Sequence, residues 1–232
     1  MNVVITGASQ GIGLAIADAF ANAGYTLCLC SKTKVNMDKA GSLLTAKYPN
    51  ASIHFTHADL SKKQDCVQFA QWCLKKGTPT IIVNNAGFFS PGHIQDEADD
   101  ALEQQMAVNL YSAYHTTRAL LPALLKMGRG HIFNICSIAS LNAYAQGGSY
   151  SISKFALLGF SKNLRLELKD KGIKVTAVCP GATYTNSWNG SGIDPERIME
   201  SEDIAKMIFA AAHLSPQAVV EDIVMRPQKG DL

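Results

Sequence analysis

The sequence predicts a doubly wound α/β sheet of about seven parallel strands with helices on both faces, in a single domain spanning residues 1–232. Three observations predict it. Seven short apolar runs alternate with amphipathic stretches, a glycine-rich turn follows the first run, and 47% hydrophobic content in 232 residues suffices for one well-buried core. No linker, low-complexity tract or short-period repeat breaks the alternation.

The first element is Val3-Val4-Ile5-Thr6, apolar and β-branched. After the turn Gly7-Ala-Ser-Gln-Gly11-Ile-Gly13, residues Leu14, Ile16, Ala17, Ala19 and Phe20 recur at helical spacing until Gly24. Residues 25–30 form a second buried-looking strand. A strand, a helix and a strand within thirty residues make a right-handed crossover, which feeds a parallel sheet. The pattern repeats as helix 37–48, strand 52–57, helix 61–76 with Ser61 as its N-cap, and strand 80–83. A long helix over 96–126, strand 131–136, helix 150–171, strand 173–179, helix 201–212 and strand 222–225 complete the chain.

Composition narrows the function. Net charge is +2, with Lys and Arg dispersed, so no basic stripe recommends nucleic acid or an anionic membrane. No apolar run approaches ~20 residues and no leader-like segment opens the chain, which predicts a soluble, cytoplasmic protein with small-molecule partners. Six cysteines (28, 30, 66, 73, 136, 179) show no C-x-x-C spacing and read as reduced, structural thiols. The six histidines do not cluster at ligand spacing, and no metal is expected.

In a parallel sheet the first strand-to-helix turn is the usual phosphate site, because glycines let a pyrophosphate approach the backbone and the helix N-terminus offers free N–H groups. The spacing G-x-x-x-G-x-G differs from the commonest dinucleotide fingerprint, and a connecting turn remains an alternative. A phosphate loop ending in Lys-Ser/Thr is excluded, since no such pair follows Gly13. At the end of the second strand, where a carboxylate would select NAD, the chain carries Ser31 and Lys32, with Lys34 nearby; this predicts NADP(H). Further on, Tyr150 and Lys154 stand one helical turn apart on a shared face. An ammonium beside a phenol lowers its pKa from about 10 and suits proton transfer; a solvated helix face would show the same spacing.

Taken together, Thr6-Gly7-x-x-x-Gly11-x-Gly13, Asn84-Asn85-Ala86-Gly87, Ser137 and Tyr150-x-x-x-Lys154 resemble the classical short-chain dehydrogenase/reductase family, over essentially the whole chain. Asn109, Asp59-Leu60 and Pro180-Gly181 complete the likeness, which implies a Rossmann-type sheet. It further implies that Tyr150 is the general acid or base, that Lys154 lowers its pKa and holds the nicotinamide ribose, and that Ser137 donates to the reacting oxygen. Asn109 would position a water leading to Lys154. Cofactor contacts are implied for Gly7, Ser9, Gly11, Ile12, Gly13, Ser31, Lys32, Asp59, Leu60, Asn84, Ala86, Gly87, Tyr150, Lys154, Pro180, Gly181, Thr183 and Thr185.

There are departures. Gln10 stands where some NADP-preferring relatives carry Arg or Lys, and the C-terminus lacks the Asp-Gly-Gly ending of 3-oxoacyl-carrier-protein reductases, so the chain is more similar to carbonyl, sepiapterin and hydroxy-acid branches. Substrate should lie between loops 138–149 and 182–200, where Ile138, Leu141, Tyr144, Gln146, Tyr184, Asn186 and Trp188, with Phe88 and Phe89 near, suggest a small uncharged carbonyl compound or its alcohol. The Gly/Ser-rich stretch 189–192 suggests a short mobile lid. Surplus apolar residues on helices 101–126 and 150–170 suggest a homodimer or homotetramer. Competing readings are a ketoacyl-carrier reductase, a non-catalytic NADP-binding regulator, and a nucleotide-sugar epimerase or dehydratase, for which 232 residues leave little room.

Overall fold

The computed structural model describes residues 1–185, 188 and 192–232. Its strands are β1 (Asn2–Thr6), β2 (Thr26–Ser31), β3 (Ile53–His57), β4 (Ile81–Asn84), β5 (Gly130–Ile135), β6 (Ile173–Pro180) and β7 (Asp222–Met225). They form one parallel sheet in the order β3-β2-β1-β4-β5-β6-β7. Neighbour order reverses between β1 and β4, and a crevice opens beyond the carboxyl ends of strands at such a switch point.

The helices are α1 (Gly11–Asn22), α2 (Lys34–Lys47), α3 (Lys63–Lys76), α4 (Ala101–Met106), α5 (Ser112–Met127), α6 (Gly148–Leu168) and α7 (Ser201–Ala212). Side chains alternate across each strand, and the central strands β1 and β4, buried on both faces, read as apolar runs. Val3 and Ile5 join Phe20, Met37, Ile204 and Ile208 in one core; Val4 joins Cys28, Phe69, Leu120, Leu124 and Leu164 in a second, and Leu157, Leu158, Ala177 and Cys179 belong to a smaller third. Each large side chain so buried stabilises the fold by about 1.5–3 kcal/mol. All six cysteines are buried and unbridged.

A polar seam crosses the second core. Asn84 Nδ2 donates to Thr117 Oγ1 and to Asn134 Oδ1, both at 2.8 Å, and Asn134 Nδ2 donates to Ser161 Oγ at 2.8 Å. Four elements, β4, β5, α5 and α6, are thereby joined through side chains.

The structure differs from the sequence reading at several helix ends. Ser61 is not an N-cap: its hydroxyl donates to Asp59 Oδ1 at 2.7 Å, and α3 starts two residues later behind Lys62. Residues 96–100 are not helical, because the chain turns at His93, whose carbonyl accepts the N–H groups of Asp96 and Glu97. Between α4 and α5 one π turn, Ala107–Tyr111, widens the helix. Helix α2 begins at Lys34 rather than 37, and α6 ends at Leu168 before a tighter turn over Lys169–Lys171.

Candidate active site

The glycine turn is fastened to the chain leaving β4. Thr6 Oγ1 accepts the N–H groups of Asn85 at 3.0 Å and Ala86 at 2.9 Å, while Asn85 Nδ2 donates to the carbonyls of Thr6 and Gly7, both at 3.0 Å. This leaves no room for side chains. A Cβ on Gly7 (φ +66°) would come within 2.9 Å of Asn85 Nδ2, and one on Gly13 would strike the Gly7 carbonyl. A Cβ on Gly11 (φ +53°) would lie 2.9 Å from Thr185 Cγ2, so the segment after β6 closes over the turn. Ser9 and Ile12 are partly buried on the same turn. The first turn of α1 carries no acidic residue, so its free N–H groups and partial positive charge face an unneutralised crevice. Bare backbone, glycine and a helix N-terminus suit a dinucleotide pyrophosphate.

At the far end of the crevice, Ser31 is buried and its hydroxyl donates to the Thr33 carbonyl at 3.4 Å. Lys32 is 72% exposed, with Nζ 3.5 Å from Asp59 Oδ2. Burial works to raise the pKa of the Asp59 carboxyl, but hydrogen bonds from the Ser61 hydroxyl and N–H, together with Lys32, outweigh it, so the net shift is downward. Leu60 is buried beside it. The expected adenosine-side residues therefore meet at the ends of β2 and β3.

The reacting groups gather at the ends of β4, β5 and β6. A capping box fixes Ser137: its Oγ accepts the Ala139 N–H at 3.1 Å and its N–H donates to Ser140 Oγ at 3.1 Å. The Ser137 side chain lies close enough to the Tyr150 phenol to lower its pKa. Burial pushes the Tyr150 pKa up, and the Ser137 contact only partly counters it. Proximity to Lys154 was expected to lower that pKa, and here burial prevails. Lys154 Nζ donates to the Ile135 carbonyl at 2.9 Å and lies 5.8 Å from the Tyr150 ring centroid; burial lowers its own pKa.

Asn109 sits in the π turn with its amide fully engaged. Oδ1 accepts the Phe88 N–H at 2.9 Å, and Nδ2 lies within reach of Gln105 Oε1 at 2.8 Å, Ser153 Oγ at 2.9 Å and the Phe88 carbonyl at 3.2 Å. A Cβ on Gly87 would fall 2.8 Å from Asn109 Oδ1 and 3.5 Å from Lys154 Nζ, so the chain after β4 reaches the reacting groups as well as the glycine turn. Thr183 is buried, donates to the Gly181 carbonyl at 3.0 Å and bridges to Met199. Gly181, following Pro180, donates its N–H to the Met225 carbonyl at 2.8 Å. Asn186 and positions 189–191 of the expected lid lie outside the described residues.

Three contributors escaped the sequence reading. Gln105 and Ser153 orient Asn109, and Glu97 reaches the start of α6. A Gln–Asn pair at i,i+4 in sequence looks like a solvated helix face, and only its burial distinguishes it. Phe89 does stand at the site, its ring edge-on to Tyr150 at 4.8 Å between centroids.

The family model described as short chain dehydrogenase matches residues 1–195. A sepiapterin reductase of Chlorobaculum tepidum is 32% identical over 99% of this chain and 97% of its own length. A D-beta-hydroxybutyrate dehydrogenase of Cupriavidus necator is 33% identical over 78% of this chain and 70% of its own. Among solved structures, an alcohol dehydrogenase of Thermococcus sibiricus complexed with 5-hydroxy-NADP has a TM-score of 0.90 at 26% identity, covering 100% of this chain and 98% of that one. A metagenomic short-chain oxidoreductase in complex with NADP has a TM-score of 0.85 at 29% identity, covering 98% and 97%.

Proposed function

This chain belongs to the short-chain dehydrogenase family, and from that premise we propose that it is an NADP(H)-dependent oxidoreductase that reduces a small uncharged carbonyl compound to an alcohol, or runs the reverse. The observation that carries the reading is the meeting of Ser137, Tyr150 and Lys154 at the same sheet edge as the glycine turn. The turn Gly7–Gly13 would hold the pyrophosphate, Ser31 and Lys32 the 2′-phosphate, and Asp59 and Leu60 the adenine side. Pro180, Gly181 and Thr183 would border the nicotinamide, and Thr185 would reach towards its amide or the pyrophosphate. The end of β2 carries Ser31 and Lys32 and no carboxylate, which favours NADP over NAD. NADP complexes of the two structural relatives support the same choice.

The bound dinucleotide supplies the hydride. This chain's residues orient the acceptor and move a proton. A raised pKa keeps the Tyr150 hydroxyl protonated, which suits an acid that gives its proton to the carbonyl oxygen as charge develops there. Ser137, locked by its capping box, offers a second hydroxyl to that oxygen without reorganising. Lys154, seated between Ile135 and Tyr150, would steady the ribose and stabilise the tyrosinate left behind. Phe89 packs against Tyr150, and Tyr144 and Tyr184 stand exposed on the segments that follow β5 and β6, which supports an uncharged substrate.

A panel of ketones followed by NADPH absorbance tests the assignment. Tyr150→Phe is expected to lower turnover by about 10²- to 10⁴-fold while NADPH binding persists; unaltered turnover would refute the role of Tyr150. Tyr111, Tyr114, Leu125, Ile152, Phe155 and Leu166 stand exposed on α5, α6 and the π turn between α4 and α5, which supports a homodimer or homotetramer. Sedimentation at micromolar concentration should give a multiple of the 24.9 kDa chain, and a monomer would contradict it.

A further inference from the structure

We infer that Glu97 is a positioning residue for Tyr150: from fifty residues upstream in sequence it fastens the first turn of α6 and closes the segment after β4 over the reacting hydroxyl. The inference rests on the reading of Tyr150 as the proton donor. Glu97 Oε1 accepts the Ser149 N–H at 2.9 Å, and Oε2 accepts the Ser149 hydroxyl. Ser149 is 1% exposed and directly precedes Tyr150, so its place sets where the Tyr150 side chain leaves the helix.

Three features of the backbone are shaped around this contact. The N-cap of α6 is Gly147, with no side chain to satisfy the first-turn N–H groups, so the carboxylate supplies an acceptor that the local sequence lacks. It does so where the helix macrodipole favours an anion. Gly148 has φ +40°, and a Cβ there would collide with Glu97 Oε1 and with the Gly92 carbonyl. Gln146 adopts φ +64°, the left-handed region that costs a non-glycine residue about 1–2 kcal/mol. Its carbonyl accepts the Gly92 N–H at 3.0 Å. Strain held in place beside a reacting group is a mark of function. The same segment starts with Phe89 against the Tyr150 ring, so residues 89–97 touch the catalytic turn at both ends.

Glu97→Ala removes the fastening, and Glu97→Gln keeps an oxygen for the Ser149 N–H. With 1-phenylpropane-1,2-dione, an uncharged aromatic diketone, and NADPH, Glu97→Ala should lower kcat about 10- to 100-fold, with KM and the NADPH Kd within about threefold; Glu97→Gln should recover most of the loss. Because Glu97 acts through Tyr150, the Tyr150→Phe/Glu97→Ala double variant should be no slower than Tyr150→Phe alone. If Tyr150→Phe abolishes turnover while Glu97→Ala leaves kcat unchanged, the inference alone fails. It also fails if Glu97→Ala slows the Tyr150→Phe background by the same factor as the parent. Full activity in Tyr150→Phe, or no turnover of the diketone by the parent, overturns the underlying reading and this inference with it.

Discussion

Acidification from pH 7 to pH 5 should destabilise this protein through His131 by a calculable amount. His131 lies on β5, 4% exposed. Its Nε2 is 2.7 Å from Thr176 Oγ1, and that hydroxyl donates its own proton to the Val220 carbonyl at 2.6 Å. Nε2 must therefore carry the hydrogen, which leaves Nδ1 as the unprotonated nitrogen, and Nδ1 has no partner among the described residues. A second proton would enter an apolar site with no acceptor. Burial foremost, and the charge of Lys174 next, lower the His131 pKa from 6.5 to about 3. Because the folded pKa is depressed, the stabilisation is complete above the unfolded pKa and fades as pH falls below it, where only the unfolded chain takes up the proton. Between pH 7 and pH 5 the loss is about 2 kcal/mol, from a tenfold change per pH unit at 1.36 kcal/mol. The assay is the urea midpoint at both pH values and fixed protein concentration, for the parent and for His131→Gln, which can still donate to Thr176 but does not titrate. Every other titrating group is common to both chains, so the difference isolates His131. Equal pH dependence in the two would refute the reasoning.

Two further outcomes concern the dinucleotide. Lys32→Glu should turn the cofactor preference towards NADH, raising the ratio of NADH to NADPH kcat/KM on the order of tenfold; the effect is modest because Lys32 is 72% exposed. An unchanged ratio would remove Lys32 from 2′-phosphate recognition. Gly13→Ala should push α1 off the Gly7 carbonyl, weakening NADPH binding in a fluorescence titration and lowering stability by about 1–3 kcal/mol. Wild-type binding would mean that the turn relaxes without moving its N–H groups.

Strands β1 and β4 were legible because burial on both faces writes itself as a run of Val and Ile, and the glycine turn because only glycine fits beside the Gly7 carbonyl and Asn85. Less legible were places where a distant partner overrides local preference. Residues 96–100 are acceptable helix formers, yet Glu97 is drawn to Ser149, and the chain reaches helical geometry only at Ala101. Ser61 has the chemistry of an N-cap, but Asp59 takes its hydroxyl. Spacing placed Tyr150 and Lys154 on one face, and they do share it. What spacing could not supply was the Ile135 carbonyl, which takes the ammonium, or the burial that raises the tyrosine. Gln105 was invisible for the same reason: nothing in an i,i+4 amide pair says that both lie inside the protein.

The polar seam of Asn84, Thr117, Asn134 and Ser161 has a consequence for the fidelity of folding. Apolar strands tolerate mispairing, since one Val or Ile packs much like another, and a sheet built from them could settle with β5 displaced by one residue. Such a slip would turn Asn134 to the opposite face and strand its amide, leaving Asn84 Nδ2 with Thr117 alone and the Ser161 hydroxyl with the Leu157 carbonyl alone. Orphaning that buried amide costs about 1–3 kcal/mol, an appreciable share of a typical domain's stability. Asn134 thus proofreads the alignment of β5. Ser137 follows three residues later on the same stretch of chain, so the check that rejects a misaligned strand also guards the location of the hydroxyl beside Tyr150.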